Sequence, residues 1–199
     1  PSRPFTASRP GKVVVLTGAT GAIGAAIARG VMESNFITPT VSHLVLVVKE
    51  AHGGEELARP LRGAALQVDV VVADLSRMAS VAAAAARIRD AHRRVDVLIN
   101  CAAVAPPRRE EVEGLELQFA TNVLAYFVLM RSLLPAMTRG GRVVLVASQL
   151  TNELDLGDLQ GGGIDKLDTV GEALRRFRAD GKPVIAAGDG FDQQQYYLA

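Results

Sequence analysis

Three glycines interrupt the apolar run VVVLTGATGAIGAAIARG at Gly18, Gly21 and Gly24, and alanine-rich helical spacing follows at once. A strand that stops at glycine and restarts as a helix leaves unbonded amides at the positive end of the helix dipole. With no Cβ in the way, a pyrophosphate can approach them closely. No Lys-Ser or Lys-Thr follows the turn, which argues against a triphosphate P-loop and leaves dinucleotide binding or a tight packing turn. Ser148 closes the strand-like run GRVVLVAS, on the carboxyl edge where open α/β sheets bind ligands. No histidine is suited to activate Ser148 as a nucleophile. Two phenols, Tyr196 and Tyr197, end the chain in FDQQQYYLA. A phenol with a pKa of about 10 is a poor acid–base at neutral pH until a nearby cation lowers it. The lone thiol of Cys101 lacks a histidine partner and reads as packing, and His43, His52 and His92 show no metal-ligand spacing, so no metal is expected.

These groups need a scaffold, and the hydrophobic pattern supplies one. Apolar runs at 12–18, 43–49, 66–74, 95–102 and 141–148 are rich in Val and Leu on both alternations, as strands covered on both faces should be. Between them, 25–35, 54–63, 78–93 and 113–137 carry helical spacing of Ala, Leu and Ile. Strand–helix alternation predicts parallel strands joined by right-handed crossovers, an α/β doubly wound sheet. After Ser148 the alternation ends. Residues 150–195, with a helical pattern around EALRRFRAD and the small apolar piece PVIAA, read as an excursion over the sheet edge, either a lid or a surface insertion.

Composition bounds the function classes. The chain's 199 residues suit a single domain, and 49% hydrophobic with 22% charged residues describes a globular protein. Twenty-two basic against 21 acidic residues give a net charge of +1, no electrostatic case for nucleic acid or an acidic membrane. The longest apolar stretch, VLAYFVLMRSLLPAM, is broken by Arg131 and falls short of the roughly 18 residues of a membrane span. With one cysteine and no signal-like start, the expectation is a cytoplasmic protein, with a homo-oligomer left open. Because the first residue is Pro1, the sequence is also expected to lack its initiator region.

TGATGAIG, VVADLS, LINCAA, LQFATNV and GRVVLVAS, in this order and spacing, resemble the short-chain dehydrogenase/reductase family over residues 12–148. PPRREEVEGLELQFATNVLAYFVL and the later LDLGDLQ resemble its retinol-dehydrogenase-like branch. Two details depart from that pattern. The middle glycine falls one place early at Gly21, with Ala22 in its usual position, a spacing closer to the extended branch that includes sugar-nucleotide epimerases. The usual Asn-Asn-Ala-Gly reads Asn100-Cys101-Ala102-Ala103. Both changes exchange small residues for small ones and should leave room for a cofactor.

The resemblance implies a Rossmann-type fold, here truncated after the fifth strand region, and assigns roles residue by residue. Gly18, Thr20, Gly21, Ala22, Ile23 and Gly24 would line the phosphates. The Asp74 side chain and Leu75 backbone would meet the adenine; the alternative for Asp74 is a helix N-cap, although Ser76 is placed to do that capping. Lys49, following Val48 at the end of the second strand, would pair with a 2′-phosphate, so NADP(H) is preferred; Glu50 beside it keeps NAD(H) open. Asn100, Cys101 and Ala102 would border the adenosine side. Asn122 would hold a relay water through a local helix distortion, or else bond locally. Ser148 would polarise a substrate carbonyl and Tyr197, with Tyr196 as the alternate, would move the proton. The lysine implied four residues later would be residue 201 or 200, past the last residue, so the chain as it stands is expected to be inactive or severely impaired. The function implied is an oxidoreductase moving hydride between nicotinamide and a small-molecule carbonyl or alcohol. The alternatives are an extended-type enzyme acting on a sugar nucleotide, or a non-catalytic dinucleotide sensor.

Overall fold

The computed structural model describes residues 11–37, 40–63 and 66–147, and the backbone of 184–187. Its main sheet is built from β1 (Lys12–Thr17), β2 (Val41–Val48), β3 (Gln67–Val72), β4 (Val95–Asn100), β7 (Met137–Val146) and β8 (Val184–Ala187). The order is β3-β2-β1-β4-β7-β8, with every pairing parallel. The five expected strands are therefore present, each within a few residues of its predicted limits.

Both faces of the sheet are covered, which is why its strands are apolar on both alternations. Helices α1 (Ala22–Ile37) and α2 (Ala51–Leu61) cover one face, where Val14, Leu16, Leu44 and Leu46 pack with Ala28, Ala58 and Leu61. On the other face α3 (Met78–Ala91) and α4 (Ala125–Leu133) bury Val81, Ile88, Leu129 and Leu133 against Val15, Val45, Leu98 and Val143. Burying such side chains stabilises the fold by about 1.5–3 kcal/mol each before conformational entropy is counted.

Three expectations need correction. Residues 113–137 are not one helix. Glu113 (φ 55°) and Gly114 (φ 77°) form the left-handed turn of a two-residue hairpin, joining β5 (Glu111–Val112) to β6 (Leu115–Glu116). The Glu116 carboxylate then accepts the Gln118 and Phe119 amides at 2.9 and 2.6 Å, so the helix begins only after it. Helical spacing alone could not show this, because the hairpin's Leu and Val continue the apolar pattern. Secondly, the helical run Phe119–Ala136 comprises a π-helix (Phe119–Leu124), α4 and a 3-10 turn. Its 18 residues reach the length and apolarity of a membrane span, which the sequence count had put out of reach. It buries Ala125, Leu129 and Leu133 in the core, while only 33% of the run is buried. Thirdly, 184–187, assigned to the excursion over the edge, form β8 and extend the sheet beside β7. Four residues with two alanines are too short and too weak in strand propensity to announce a strand. The rest of the excursion lies outside the described residues.

Opposite the carboxyl edge, one buried carboxylate ties three strands together. Asp96 accepts the Val13 amide of β1 at 2.9 Å, the Thr138 hydroxyl of β7 at 3.1 Å and the Arg94 guanidinium, its Nε at 3.2 Å. Burial opposes its ionisation, but Arg94, the Val13 amide and Thr138 outweigh it and hold the carboxyl below its ordinary value. A depressed pKa contributes stability at neutral pH that is lost as pH falls through the folded value. Asp96→Asn is expected to lower stability by about 1–3 kcal/mol near neutrality. The gap from wild type should shrink below about pH 4. Urea unfolding on either side of that pH reads both effects; a gap that does not change assigns the loss to something other than the charge.

Candidate functional site

The strand order reverses between β1, whose crossovers lead out to β2 and β3, and β4, which returns to its other side. Such a switch point opens a crevice at the carboxyl ends of the two strands. Gly18 and the segment Asn100–Ala102 stand at its two lips. Gly18 has φ +68°, and a Cβ there would lie 2.5 Å from the Ala102 Cα, so no other residue fits this contact. A Cβ on Gly24 would lie 2.2 Å from the Gly18 carbonyl oxygen, which explains why α1 can start so close beneath the turn. Gly21 is less constrained: its φ is not positive and its nearest neighbour, the Gly18 oxygen, is 3.3 Å away. The one-place shift of the middle glycine is thus accommodated.

Thr20, Gly21, Ala22 and Ile23 are exposed on the lip of the crevice, Ile23 to 61%. The first turn of α1 has no acidic residue, and its first amides have no acceptor within the helix. An exposed, positively polarised helix start, reached through a turn whose glycines put no side chain in the way, fits the diphosphate of a dinucleotide.

At the second lip a residue not singled out from sequence organises the contact. Thr17, wholly buried at the end of an apolar strand, accepts both the Cys101 and Ala102 amides on its hydroxyl, at 3.0 and 3.1 Å. The sequence signal was a hydroxyl closing a run of Val and Leu, which must find a partner when buried. Asn100, also fully buried and in register with Leu145, has neither amide atom hydrogen-bonded among the described residues. An amide left this way costs about 1–3 kcal/mol, an outlay typical of sites built for something other than stability. Burial pushes the Cys101 thiol up, which removes it further from nucleophilic duty.

The adenosine side is equally compact. Lys49, after β2, stands 3.6 Å from the Asp74 carboxylate, which follows β3, so the two residues predicted to meet the cofactor also meet each other. Burial works against the Asp74 charge, yet the hydroxyl and amide of Ser76, with Lys49 and Arg77, hold its carboxyl below the ordinary range. The capping expectation is corrected here: Ser76 donates its hydroxyl (2.6 Å) and amide (3.0 Å) to Asp74 in a local turn, and α3 begins after Arg77 with no side-chain cap. Leu75 is buried. Lys49 remains 74% exposed, its ammonium open to a further anion.

Asn122 lies in the π-helix, so the predicted distortion is present, but its amide is occupied. Its Oδ1 accepts the Val104 amide and its Nδ2 donates to the Val104 carbonyl, both at 2.9 Å. The amide's local bonding is therefore to the loop after β4, not within its own helix. Tyr126, on α4, was also not singled out; its hydroxyl donates to the Ala102 carbonyl at 2.6 Å. Ser148, Tyr196 and Tyr197 lie outside the described residues. A cavity of about 470 Å³ at the opposite, amino edge, lined by His43, Asp69 and His92 among others, contains none of the predicted residues.

Residues 12–155 match the family described as short chain dehydrogenase. Mouse polyprenol dehydrogenase is 30% identical over 169 residues, 79% of this chain and 49% of that protein. Human retinol dehydrogenase 13 is 30% identical over 163 residues, 78% of this chain and 47% of that protein. Among solved structures, a metagenomic short-chain oxidoreductase in complex with NADP superposes with a TM-score of 0.70 at 26% identity, over 93% of this chain and 84% of that one. L-sorbose reductase from Gluconobacter frateurii, complexed with NADPH and L-sorbose, gives 0.66 at 25% identity, over 88% and 68%. The chain spans about half the length of the curated relatives it matches.

The three glycines should respond unequally to alanine. Gly18→Ala is expected to cost at least about 1–2 kcal/mol from its left-handed backbone alone, and more from the Ala102 contact. Gly24→Ala should be comparably damaging, whereas Gly21→Ala should stay below about 1 kcal/mol. Thermal unfolding of the three variants measures this order; equal losses would mean that the turn is not held as tightly as its contacts indicate.

Proposed function

The chain belongs to the short-chain dehydrogenase/reductase family, and from that premise we propose that the whole protein is an NADP(H)-dependent oxidoreductase interconverting a small-molecule carbonyl and its alcohol. The observation that carries this reading is the glycine turn at the carboxyl end of β1, where Gly18 packs directly on the Ala102 backbone and the exposed start of α1 stands beside it. Relatives named as dehydrogenases and a neighbour crystallised with NADP support it.

In this reading the amides at the start of α1, from Ala22 to Gly24, bind the diphosphate. Asp74 and Leu75 flank the adenine, and Lys49 supplies a point charge for the 2′-phosphate, which an acidic residue there would repel. The bound nicotinamide supplies or accepts the hydride. The Ser148 hydroxyl donates a hydrogen bond to the substrate oxygen and orients it, and the Tyr197 phenol gives or takes the proton at that oxygen, with Tyr196 as the alternate. Because the Asn122 amide is engaged by Val104, holding a relay water falls to main-chain carbonyls that the π-helix displaces from the regular helical ladder.

Fluorescence titration tests the cofactor assignment. NADPH is expected to bind more tightly than NADH, and Lys49→Asp to shift that preference by about tenfold or more, about 1.4 kcal/mol. Equal affinities in the wild type would remove the preference, and no binding of either would remove the oxidoreductase reading. In the complete protein, Tyr197→Phe should leave NADPH binding intact and lower turnover by about 100-fold or more; turnover that survives would move the proton to Tyr196 or elsewhere.

A further inference from the structure

Resting on the dinucleotide reading of the crevice, we propose that Tyr126 is a positioning residue whose hydroxyl latches the loop after β4 and so fixes the wall that a dinucleotide must meet. Five main-chain groups of residues 101–104 are held by just three side chains. Thr17 accepts the Cys101 and Ala102 amides, Asn122 takes both the amide and carbonyl of Val104, and Tyr126 donates to the Ala102 carbonyl. Thr17 reaches the loop from β1, whereas Asn122 and Tyr126 reach it from the π-helix and α4, four residues apart on one side of the helical run.

Ala102 is where these restraints converge. Its amide and its carbonyl are both bonded to side chains, and its Cα leaves no room for a Cβ on Gly18. Thr17 restrains Ala102 on its amide side and Tyr126 on its carbonyl side, so loss of either lets the segment rotate and shifts the wall against which Gly18 packs. The Tyr126 bond is short, at 2.6 Å, and burial, with Cys101 adding to it, pushes the phenol's pKa well up. Tyr126 therefore stays protonated as a donor and does not serve as an acid–base. A phenylalanine would fill the same volume, so the hydroxyl itself is the feature that needs a role. It couples α4 to the cofactor crevice through one bond.

Tyr126→Phe removes that bond alone, and Phe127→Leu is the control, removing packing beside it without touching a loop hydrogen bond. NADPH titration, thermal unfolding and hydrogen exchange at the amides of residues 101–105 are compared across the full-length wild type and both variants. Tyr126→Phe is expected to weaken NADPH binding about five- to tenfold and to accelerate loop exchange by a similar factor, with a modest drop in midpoint. Phe127→Leu should lower the midpoint and leave affinity and loop exchange at wild-type values, a split that a merely structural role for Tyr126 would not produce. Unchanged exchange in Tyr126→Phe overturns the latch, as does unchanged affinity where the wild type binds. A wild type that does not bind NADPH overturns the cofactor reading instead, and the exchange comparison still decides the latch. Should Tyr126→Phe fail to fold, a ring-fluorinated tyrosine at position 126 reports directly: its fluorine resonance shifts on NADPH addition if the latch is coupled to the crevice, and a resonance that does not move overturns the proposal.

Discussion

At the carboxyl end of β1 the chain turns through Gly18 with the Ala102 backbone almost touching the place where a side chain would begin. Directly before that turn, the Thr17 hydroxyl holds the Cys101 and Ala102 amides. The absence of one atom and the presence of another bring the ends of β1 and β4 together, and most of the functional geometry follows. A larger residue at 18 would push the strand ends apart, and a hydrophobic residue at 17 would leave two amides without their partner. The crevice is therefore a product of the sheet's topology narrowed by two side-chain choices, and the helix start beneath it is aimed by the same turn, through the close approach of Gly24 to the Gly18 carbonyl.

Much of this was legible in the sequence. Strands buried on both faces need apolar residues on both alternations, so β1, β2, β3, β4 and β7 were readable from Val and Leu, and the three glycines marked the turn. Local patterns failed where a long-range contact decides the outcome. The hairpin at Glu113–Gly114 was hidden for a different, local reason: it shares its apolar spacing with the helix after it, and the left-handed turn and the Glu116 carboxylate at the first amides separate the two. β8 is four residues long and depends on β7 for its existence. Thr17 and Tyr126 act on a segment some 85 and 24 residues distant, a relationship that periodicity does not carry. Asn122 was correctly marked by its polarity within an apolar helix, yet which groups its amide bonds depended on where the loop after β4 would run.

The two edges of the sheet handle polar groups in opposite ways. At the amino edge Asp96 is saturated, with Val13, Arg94 and Thr138 all bonded to its carboxylate, and its charge joins β1, β4 and β7. The carboxyl edge also holds polar groups that are only half-satisfied or bare. Among the described residues both amide atoms of Asn100 lack a partner, Lys49 is mostly in water with Asp74 as a loose partner, and the first amides of α1 have no acceptor within the helix. One sheet thus gains its stability at one edge and leaves unspent hydrogen-bonding capacity at the other. That asymmetry is what a binding edge requires, since an amide already bonded within the protein has nothing left to offer a phosphate. It also explains why the loop after β4 is held by side chains from β1, the π-helix and α4 and not by its own turn. A wall that keeps its outer surface free for a ligand must be fastened from behind.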